Sequence, residues 1–257
     1  MVMKRYIVLI ILLLAFGFSI YFFIGKDSIA AQKVQTTILL NPDTIFEYSN
    51  KSWVRVNRNY LNDYNWKEFD VFLDSEYKGK KLVWHDDQWY IFDKNKTAIN
   101  YTENFLGIKA NYDINVKDFE VITDDNLDYA YELLSKYNLP SNSELTENDK
   151  VVIDIDNDGI NEEIYLISNT FPMDTEPDVI FSNVFMVKDN KKYTILENSE
   201  KGDPFSGCLP SINSIIDVDN DNNYEILLTC SKYSAQDPIN TLYKFDKTQF
   251  NKVISSE

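Results

Sequence analysis

Histidine is almost missing from this 257-residue chain, and no common catalytic motif takes its place. The one histidine, His85, would have to serve as the base of any Ser–His–Asp triad, and no G-x-S-x-G element accompanies it. A zinc site built on several histidines is excluded, and no glycine-rich phosphate or dinucleotide motif is present. His85 lies at a predicted hairpin, which favours a surface or turn residue. We therefore expect a protein that is not an enzyme.

Basic residues are few, with 25 Lys and Arg against 41 Asp and Glu and a net charge of −16. The charged residues among the first 26 are all basic, so the rest of the chain is more acidic still. Such a surface repels phosphate backbones, which excludes nucleic acid as a partner, and attracts cations where carboxylates cluster. Seven glycines and seven prolines are too few for a collagen-like or low-complexity chain. With 44% hydrophobic residues, the chain has enough apolar side chains to form a packed core.

An uncharged run rich in Leu, Ile and Phe extends from Tyr6 to Ile24. As a helix it would be about 28 Å long, close to the roughly 30 Å hydrocarbon core of a bilayer. Lys4 and Arg5 precede the run. The positive-inside rule therefore predicts a cytoplasmic tail at residues 1–5, a transmembrane anchor at 6–24 and an extracytoplasmic remainder.

A cleaved signal peptide is the alternative, because Ser28–Ala30 followed by Ala31 is an acceptable cleavage site. The apolar run is longer than the hydrophobic region of most signal peptides, which favours an uncleaved anchor. Both interpretations export the rest of the chain. We expect a single-pass cell-membrane protein whose C-terminal part lies outside.

The chain has two cysteines, Cys208 and Cys230. In the cytosol they would be ordinary buried thiols. Outside it they are a candidate disulfide, and export favours that interpretation. The bond would close a loop of about 22 residues and stabilise the fold by about 3 kcal/mol.

The exported part begins with a polar linker at residues 25–35. From 36 to 122, short β-branched and aromatic runs alternate with polar turns, which predicts an aromatic-rich β-meander. All four tryptophans lie in this region and are expected in its core. Residues 123–148 form a predicted helix and loop. Asp124 or Asp125 would cap a helix from about Asn126 to Tyr137, and Pro140 would end it.

Residues 149–257 return to β patterning with antiparallel hairpins. The predicted strands are 150–155, 163–168, 178–187, 192–197, 212–218, 224–230, 240–246 and 251–255. The fold class expected is therefore mainly β, with an N-terminal transmembrane helix and one short helix between the two β regions.

Two stretches between these strands repeat one spacing of acidic residues, starting at Asp154 and at Asp217. Both have carboxylates at loop positions 1, 3, 5 and 9. Calcium takes six to eight oxygen ligands, and a tight loop can direct several carboxylates and the position-7 carbonyl at one ion. Position 6 must turn sharply, which Gly159 suits and which Asn222 can do in left-handed geometry.

These loops are not EF-hands, because position 12 is Tyr165 in the first and Leu228 in the second, and the flanks are predicted strands. The pattern resembles the strand–loop–strand calcium loops of FG-GAP and VCBS repeats, known from integrin-like β-propellers and bacterial surface proteins. The resemblance covers residues 149–257. It implies antiparallel repeats like two incomplete propeller blades, since a closed propeller needs four to eight.

The resemblance also implies two calcium ions and a ligand set for each. In the first loop the ligands would be Asp154, Asp156, Asp158, Glu162 and the carbonyl of Ile160. In the second they would be Asp217, Asp219, Asp221, Glu225 and the carbonyl of Asn223. Solvated turns also contain Asp and Asn. Two copies with the fourth acid at the same offset are much harder to obtain by chance.

We therefore expect a non-enzymatic, calcium-stabilised module outside the membrane that binds a protein or a glycan. Two alternatives stay open. An envelope hydrolase would need two carboxylates about 5–10 Å apart in a cleft. An accessory subunit of a membrane complex would show an exposed apolar patch on the first β region.

Overall fold

The computed structural model describes residues 36–49, 52–73, 76–99, 105–169, 179–201, 207–232 and 237–257. Within the chain, Gln35–Glu257 make one compact unit. The predicted tail, anchor and linker at 1–35 lie outside the described residues. Among the residues that are described, no helix is long and apolar enough to cross a membrane.

The first sheet has eight strands, all from the first predicted β region. Its strands are β1 (Thr36–Leu40), β2 (Thr44–Ser49), β3 (Ser52–Arg55), β4 (Glu68–Leu73), β5 (Glu76–His85), β6 (Trp89–Phe92), β7 (Ala98–Ile99) and β8 (Phe105–Lys109). Their order is β3-β2-β1-β8-β4-β5-β6-β7. The single meander predicted from the spacing is thus present as two, β1–β3 and β4–β7, and β8 pairs between them. A 3-10 helix at Arg58–Tyr64, which the sequence pattern did not indicate, connects β3 to β4.

Two five-stranded antiparallel sheets follow. The second sheet has the order β10-β11-β12-β13-β14, with β10 (Ile122–Thr123), β11 (Glu147–Ile153), β12 (Glu162–Ser168), β13 (Val179–Lys188) and β14 (Lys191–Lys201). The third has the order β18-β17-β16-β15-β9, with β9 (Asn115–Lys117), β15 (Cys208–Asp217), β16 (Glu225–Lys232), β17 (Ile239–Phe245) and β18 (Phe250–Ser255). Every strand predicted from residue 150 onward is present. The short strands β9 and β10, which precede the helix, complete these sheets from the N-terminal side.

The third sheet is buried on both faces. Ile215, Ile226 and Leu228 on one face pack with second-sheet residues such as Ile164 and Val184. The alternate residues face the first sheet, because successive side chains of a strand point to opposite sides. This second cluster joins Ile216, Val218, Leu227 and Leu242 to Ile38, Leu40, Phe46, Phe72, Leu106 and Ile108. The two predicted β regions therefore share one core.

The helix α1 (Asp128–Lys136) covers the outer face of the second sheet. Its buried residues are Ala130, Leu133 and Leu134, whereas Tyr131 is exposed. The predicted capping by Asp124 or Asp125 is wrong, because the N-cap residue is Leu127, whose side chain makes no capping hydrogen bond. The side chain of Asp124 is drawn towards β11 by Lys150, whose Nζ lies 3.1 Å from Asp124 Oδ1.

His85 is the last residue of β5, at the predicted hairpin, but it is buried at 7% exposure. Its ring packs edge-on against Trp89, with 4.8 Å between ring centroids. Burial lowers the pKa of the imidazole despite the nearby carboxylate of Asp43. The surface location expected from the sequence is therefore wrong. Trp89 is in the core as expected, but Trp66 is 43% exposed beneath the ammonium group of Lys96.

Candidate metal centre

Two acidic loops connect adjacent strands in the same way in the second and third sheets. The first acidic loop, Asp154–Glu162, joins β11 to β12, and the second acidic loop, Asp217–Glu225, joins β15 to β16. Positions 4 and 6 have left-handed backbones in both. The φ values are 54° at Asn157 and 87° at Gly159, and 59° at Asn220 and 65° at Asn222. The left-handed geometry predicted for Gly159 and Asn222 is confirmed.

The position-1 carboxylate holds each turn together. Asp154 accepts hydrogen bonds from the amides of Asp158 and Gly159, both at 3.1 Å. Asp217 accepts the equivalent bonds from the amides of Asp221 and Asn222, both at 3.0 Å. A carboxylate that accepts backbone N–H groups replaces the ladder bonds that the turn interrupts.

The position-9 glutamates close the base of each loop from inside the core. Glu162 accepts a hydrogen bond from the amide of Ile155, and Glu225 accepts one from the amide of Val218, each at 2.9 Å. Both glutamates are only 1% exposed. Burial raises the pKa of Glu225 to about 7, against the opposing effect of Lys244. A carboxylate buried in this way, as Glu225 is, needs a cation beside it to remain charged.

Three carboxylates converge in each loop. One oxygen from each of Asp154, Asp156 and Glu162 lies within 4.8 Å of the others, and the same holds for Asp217, Asp219 and Glu225. The position-5 residues Asp158 and Asp221 lie on the outer side of these groups and accept the position-7 amides at 2.8 Å and 2.9 Å. Those amides belong to Ile160 and Asn223. Six of the ten predicted ligands therefore converge in two groups of three carboxylates, and the predicted role of the Ile160 and Asn223 carbonyls stays a prediction.

Each centre also contains a lysine ammonium group, which the spacing of the acidic residues does not predict. Lys188 Nζ lies 3.0 Å from Asp156, 2.6 Å from Asp158 and 2.6 Å from Glu162. In the second loop, Lys244 Nζ lies 2.7 Å from Asp219, 2.8 Å from Asp221 and 2.8 Å from Glu225. The contacts are to positions 3, 5 and 9 in both cases.

Sheet register explains why both lysines reach the same place. Glu225 on β16 is paired directly with Lys244 on β17. Glu163 on β12 is paired with Val187 on β13, which puts Glu162 opposite Lys188. Burial lowers the pKa of each ammonium group, but its hydrogen bonds to three carboxylates outweigh this effect and raise the pKa above its usual value.

The two loops contact each other. The amide of Tyr224 donates to the carbonyl of Ile155 at 3.0 Å, and Asn157 Nδ2 donates to the carbonyl of Asn222 at 2.7 Å. Lys117 from β9 donates to the carbonyl of Asp154 at 2.6 Å. The acidic loops therefore form one continuous edge where the second and third sheets meet.

The predicted disulfide between Cys208 and Cys230 is present, with 5.3 Å between the Cα atoms. Pro210 is paired with Cys230 at one end of the β15–β16 hairpin, and Ile216 is paired with Glu225 at the other. The bond therefore closes the end of the hairpin opposite the second acidic loop.

An open cavity of about 500 Å³ lies between the first sheet and the segment that leads into β9. Phe72, Tyr77 and Tyr112 contribute its aromatic walls, and Asp70, Lys80 and Asp118 contribute charge. Tyr77 donates a hydrogen bond to Asp70 at 2.7 Å, and its ring contacts that of Phe72 at 5.2 Å. The sequence did not point to this cavity, because its walls come from segments distant in the chain.

The donor chemistry of the acidic loops fits a hard divalent ion. Carboxylate oxygens are the preferred ligands of calcium, and each loop supplies them from four positions. A position-3 oxygen, Asp219 Oδ1, is buried without a hydrogen-bond partner in the part of the chain that the structure describes. Comparison with protein-family models, with curated proteins and with solved structures finds no match for this chain.

Proposed function

We propose that this chain is a non-enzymatic module, held at the cell membrane by residues 6–24 and presented outside it, whose acidic loops bind two calcium ions. The observation that carries the proposal is the repetition of one carboxylate arrangement in two loops, down to the individual hydrogen bonds. The disulfide supports an exported location, because such bonds persist in oxidising compartments.

Charge and ligand number favour a calcium ion in these loops. Each loop has four carboxylates, and the single lysine ammonium group beside them does not neutralise all four, so the loop keeps a net negative charge. An ammonium group also has only three N–H donors, whereas calcium accepts six to eight oxygens. Oxygens that lysine leaves without a partner, such as Asp219 Oδ1, would have a ligand role in the calcium-bound loop.

The position of the loops favours a stabilising role. Calcium bound there would fix the turns β11–β12 and β15–β16, and therefore the edge at which the second and third sheets contact each other. This role and the strand–loop–strand context are those of the FG-GAP and VCBS repeats that the loops resemble. We propose membership of that class for residues 149–257.

The cavity beside the first sheet favours a glycan as the partner, with a protein as the alternative. Its volume of about 500 Å³ is in the range of ligand-binding sites. Sugars have apolar ring faces and several hydroxyl groups. The rings of Phe72 and Tyr77 offer stacking surfaces, and the carboxylates of Asp70 and Asp118 offer hydrogen-bond acceptors.

A calcium titration of the full chain in detergent micelles tests the metal proposal. We expect isothermal titration calorimetry to show binding and calcium to raise the melting temperature relative to chelator. The double variant Asp156→Asn and Asp219→Asn removes one charged ligand from each centre and should lose most of both effects. Asp125→Asn, an exposed acid outside the loops, is the matched control and should behave as the parent does. Absence of both heat and thermal shift in the parent would sink the proposal.

A further inference from the structure

We propose that Lys188 and Lys244 are built-in cations that compete with calcium, so that each acidic loop alternates between a lysine-closed and a calcium-bound state. The inference rests on the proposed calcium function and concerns its regulation. Two independent loops show the same arrangement. In each, a lysine two strands beyond the loop's first strand places its ammonium group within 3.0 Å of positions 3, 5 and 9.

The lysines neutralise the charge of the buried glutamates. Glu162 and Glu225 are almost inaccessible to water, and a buried carboxylate without a counter-ion is strongly destabilising. Lys188 and Lys244 supply that counter-ion from the neighbouring strand. A loop without calcium therefore stays closed, and the protein does not depend on metal to fold.

The same contacts make lysine and calcium mutually exclusive. Calcium binds carboxylate oxygens at about 2.3–2.6 Å. In each loop the ammonium nitrogen lies 2.6–3.0 Å from the three oxygens that a calcium ion would need. The two cations would occupy the same volume, so calcium can enter only when the lysine leaves.

Displacement of the lysine is sterically feasible. Lys188 is the last residue of β13, beside the exposed turn at Asp189 and Asn190. The side chains of Lys188 and Lys244 are 14% and 26% exposed, so each has a path to solvent along its flexible stem. The fraction of loops free of lysine then lowers the apparent calcium affinity. Such loops respond to the high calcium concentrations found outside cells, where modules bind in the range of about 10⁻⁴–10⁻³ M.

Lys188→Met and Lys244→Met, singly and together, test this competition in the full chain in detergent micelles. Methionine keeps an unbranched side chain and removes the charge. Calorimetry with calcium chloride should show an affinity increase of about tenfold or more at the altered loop. In chelator the melting temperature should fall, and calcium should restore it. Lys78→Met, which removes a lysine paired with Glu76 outside the loops, is the matched control.

Arginine variants separate charge from shape. Lys188→Arg and Lys244→Arg keep the positive charge and should leave calcium affinity at or below the parent value. A rise equal to that of the methionine variants would overturn the competition. If a methionine variant does not fold in chelator, its folding on addition of calcium supports the inference, and its failure to fold with calcium overturns it.

Two negative results have different meanings. If the parent binds calcium and the methionine variants bind it with equal or lower affinity, the competition is wrong and the calcium sites remain. If neither the parent nor any variant binds calcium, both the competition and the proposed function are wrong.

Discussion

The surroundings of Glu147 on β11 do not stabilise a charge on its carboxyl group. Burial raises the pKa of its carboxyl group to about 8, and the nearby Asp149 adds repulsion. Its Oε2 atom is buried and has no hydrogen-bond partner among the described residues. Unlike Glu162 and Glu225, this glutamate has no lysine opposite it: Glu147 is paired with Ser168 on β12.

This raised pKa predicts a stability that falls with increasing pH. The folded protein retains a proton on Glu147 that the unfolded chain has released above about pH 4.5, so the stabilisation is full below that pH and is lost as pH rises through about 8. Glu147→Gln should remove this loss. At pH 8.5 we expect the variant's free energy of unfolding to exceed the parent's by about 1–3 kcal/mol, because the parent then buries an unpaired charge and the variant buries a neutral amide. Urea unfolding of parent and variant at pH 5 and 8.5 measures this difference, and Glu144→Gln, at an exposed position, is the control. If the free energy of unfolding changed equally with pH in the parent and in Glu147→Gln, the prediction would be contradicted.

The sequence predicts the acidic residues of each centre, which are close together in the chain, but not the lysines, which are distant from them. The spacing of Asp154, Asp156 and Glu162 is local, and a tight turn brings them together in any β-hairpin. Lys188 and Lys244 reach the centres only through strand register, which one sequence does not specify. One signal existed: Lys244 is a single charge in the otherwise apolar run Leu242–Phe245.

At the scale of elements, α1 ends through its own sequence rather than at Pro140. Asn138 has a left-handed backbone with φ of 59°. The amide of Leu139 donates to the carbonyl of Leu134 at 2.8 Å, and the amide of Asn138 donates to that of Ser135 at 3.1 Å. This is the Schellman arrangement, in which a left-handed residue after the helix satisfies its last carbonyl groups.

The packing of α1 predicts which of its residues stabilise the protein. Leu134 is buried against the second sheet, in the cluster that includes Phe181 and Phe185. Leu134→Ala should cost about 2–5 kcal/mol of unfolding free energy, because it leaves a cavity in that cluster. Tyr131→Ala removes a large side chain from the exposed face and should cost much less. Denaturant titration of both variants measures these free energies of unfolding. Equal losses in the two variants would contradict the packing described for α1.

The strands differ in how well the sequence predicts them. Those of the second and third sheets begin and end near their predicted positions, because alternating apolar residues and polar turns mark them. The short strands β9 and β10 carry too few residues to show alternation. They form because the chain runs beside the edges of β11 and β15, where β10 pairs with β11 and β9 pairs with β15. The position of β8 between β1 and β4 is likewise a product of tertiary pairing.

At the scale of the molecule, the third sheet is the central layer. It shares one apolar cluster with the second sheet and another with the first. The sequence predicts two β regions because a break in β patterning separates them, and it does not contain the information that their faces meet. Because both clusters depend on the third sheet, we expect the compact unit to unfold as a whole.

The disulfide gives a direct measure of this cooperativity. Replacing Cys208 and Cys230 by serine opens a loop with a sequence separation of 22 residues. In the chain-entropy model this should cost about 3 kcal/mol. Tryptophan fluorescence reports on the first sheet and the turn that leads into β4, where the four tryptophans lie, and far-ultraviolet circular dichroism reports on all sheets. Both signals should shift together. Separate transitions would mean that the first sheet unfolds independently of the other two.

The closed β15–β16 hairpin also has a mechanical consequence. When tension is applied to the two ends of the chain, the Cys208–Cys230 bond transmits the load from one strand to the other. The intervening segment, with its separation of 22 residues, is then not stretched. At about 3.3–3.6 Å per extended residue, some 70 Å of chain is withheld from extension. The second acidic loop lies inside that segment, so even in a chain pulled straight elsewhere its carboxylates bear no tension.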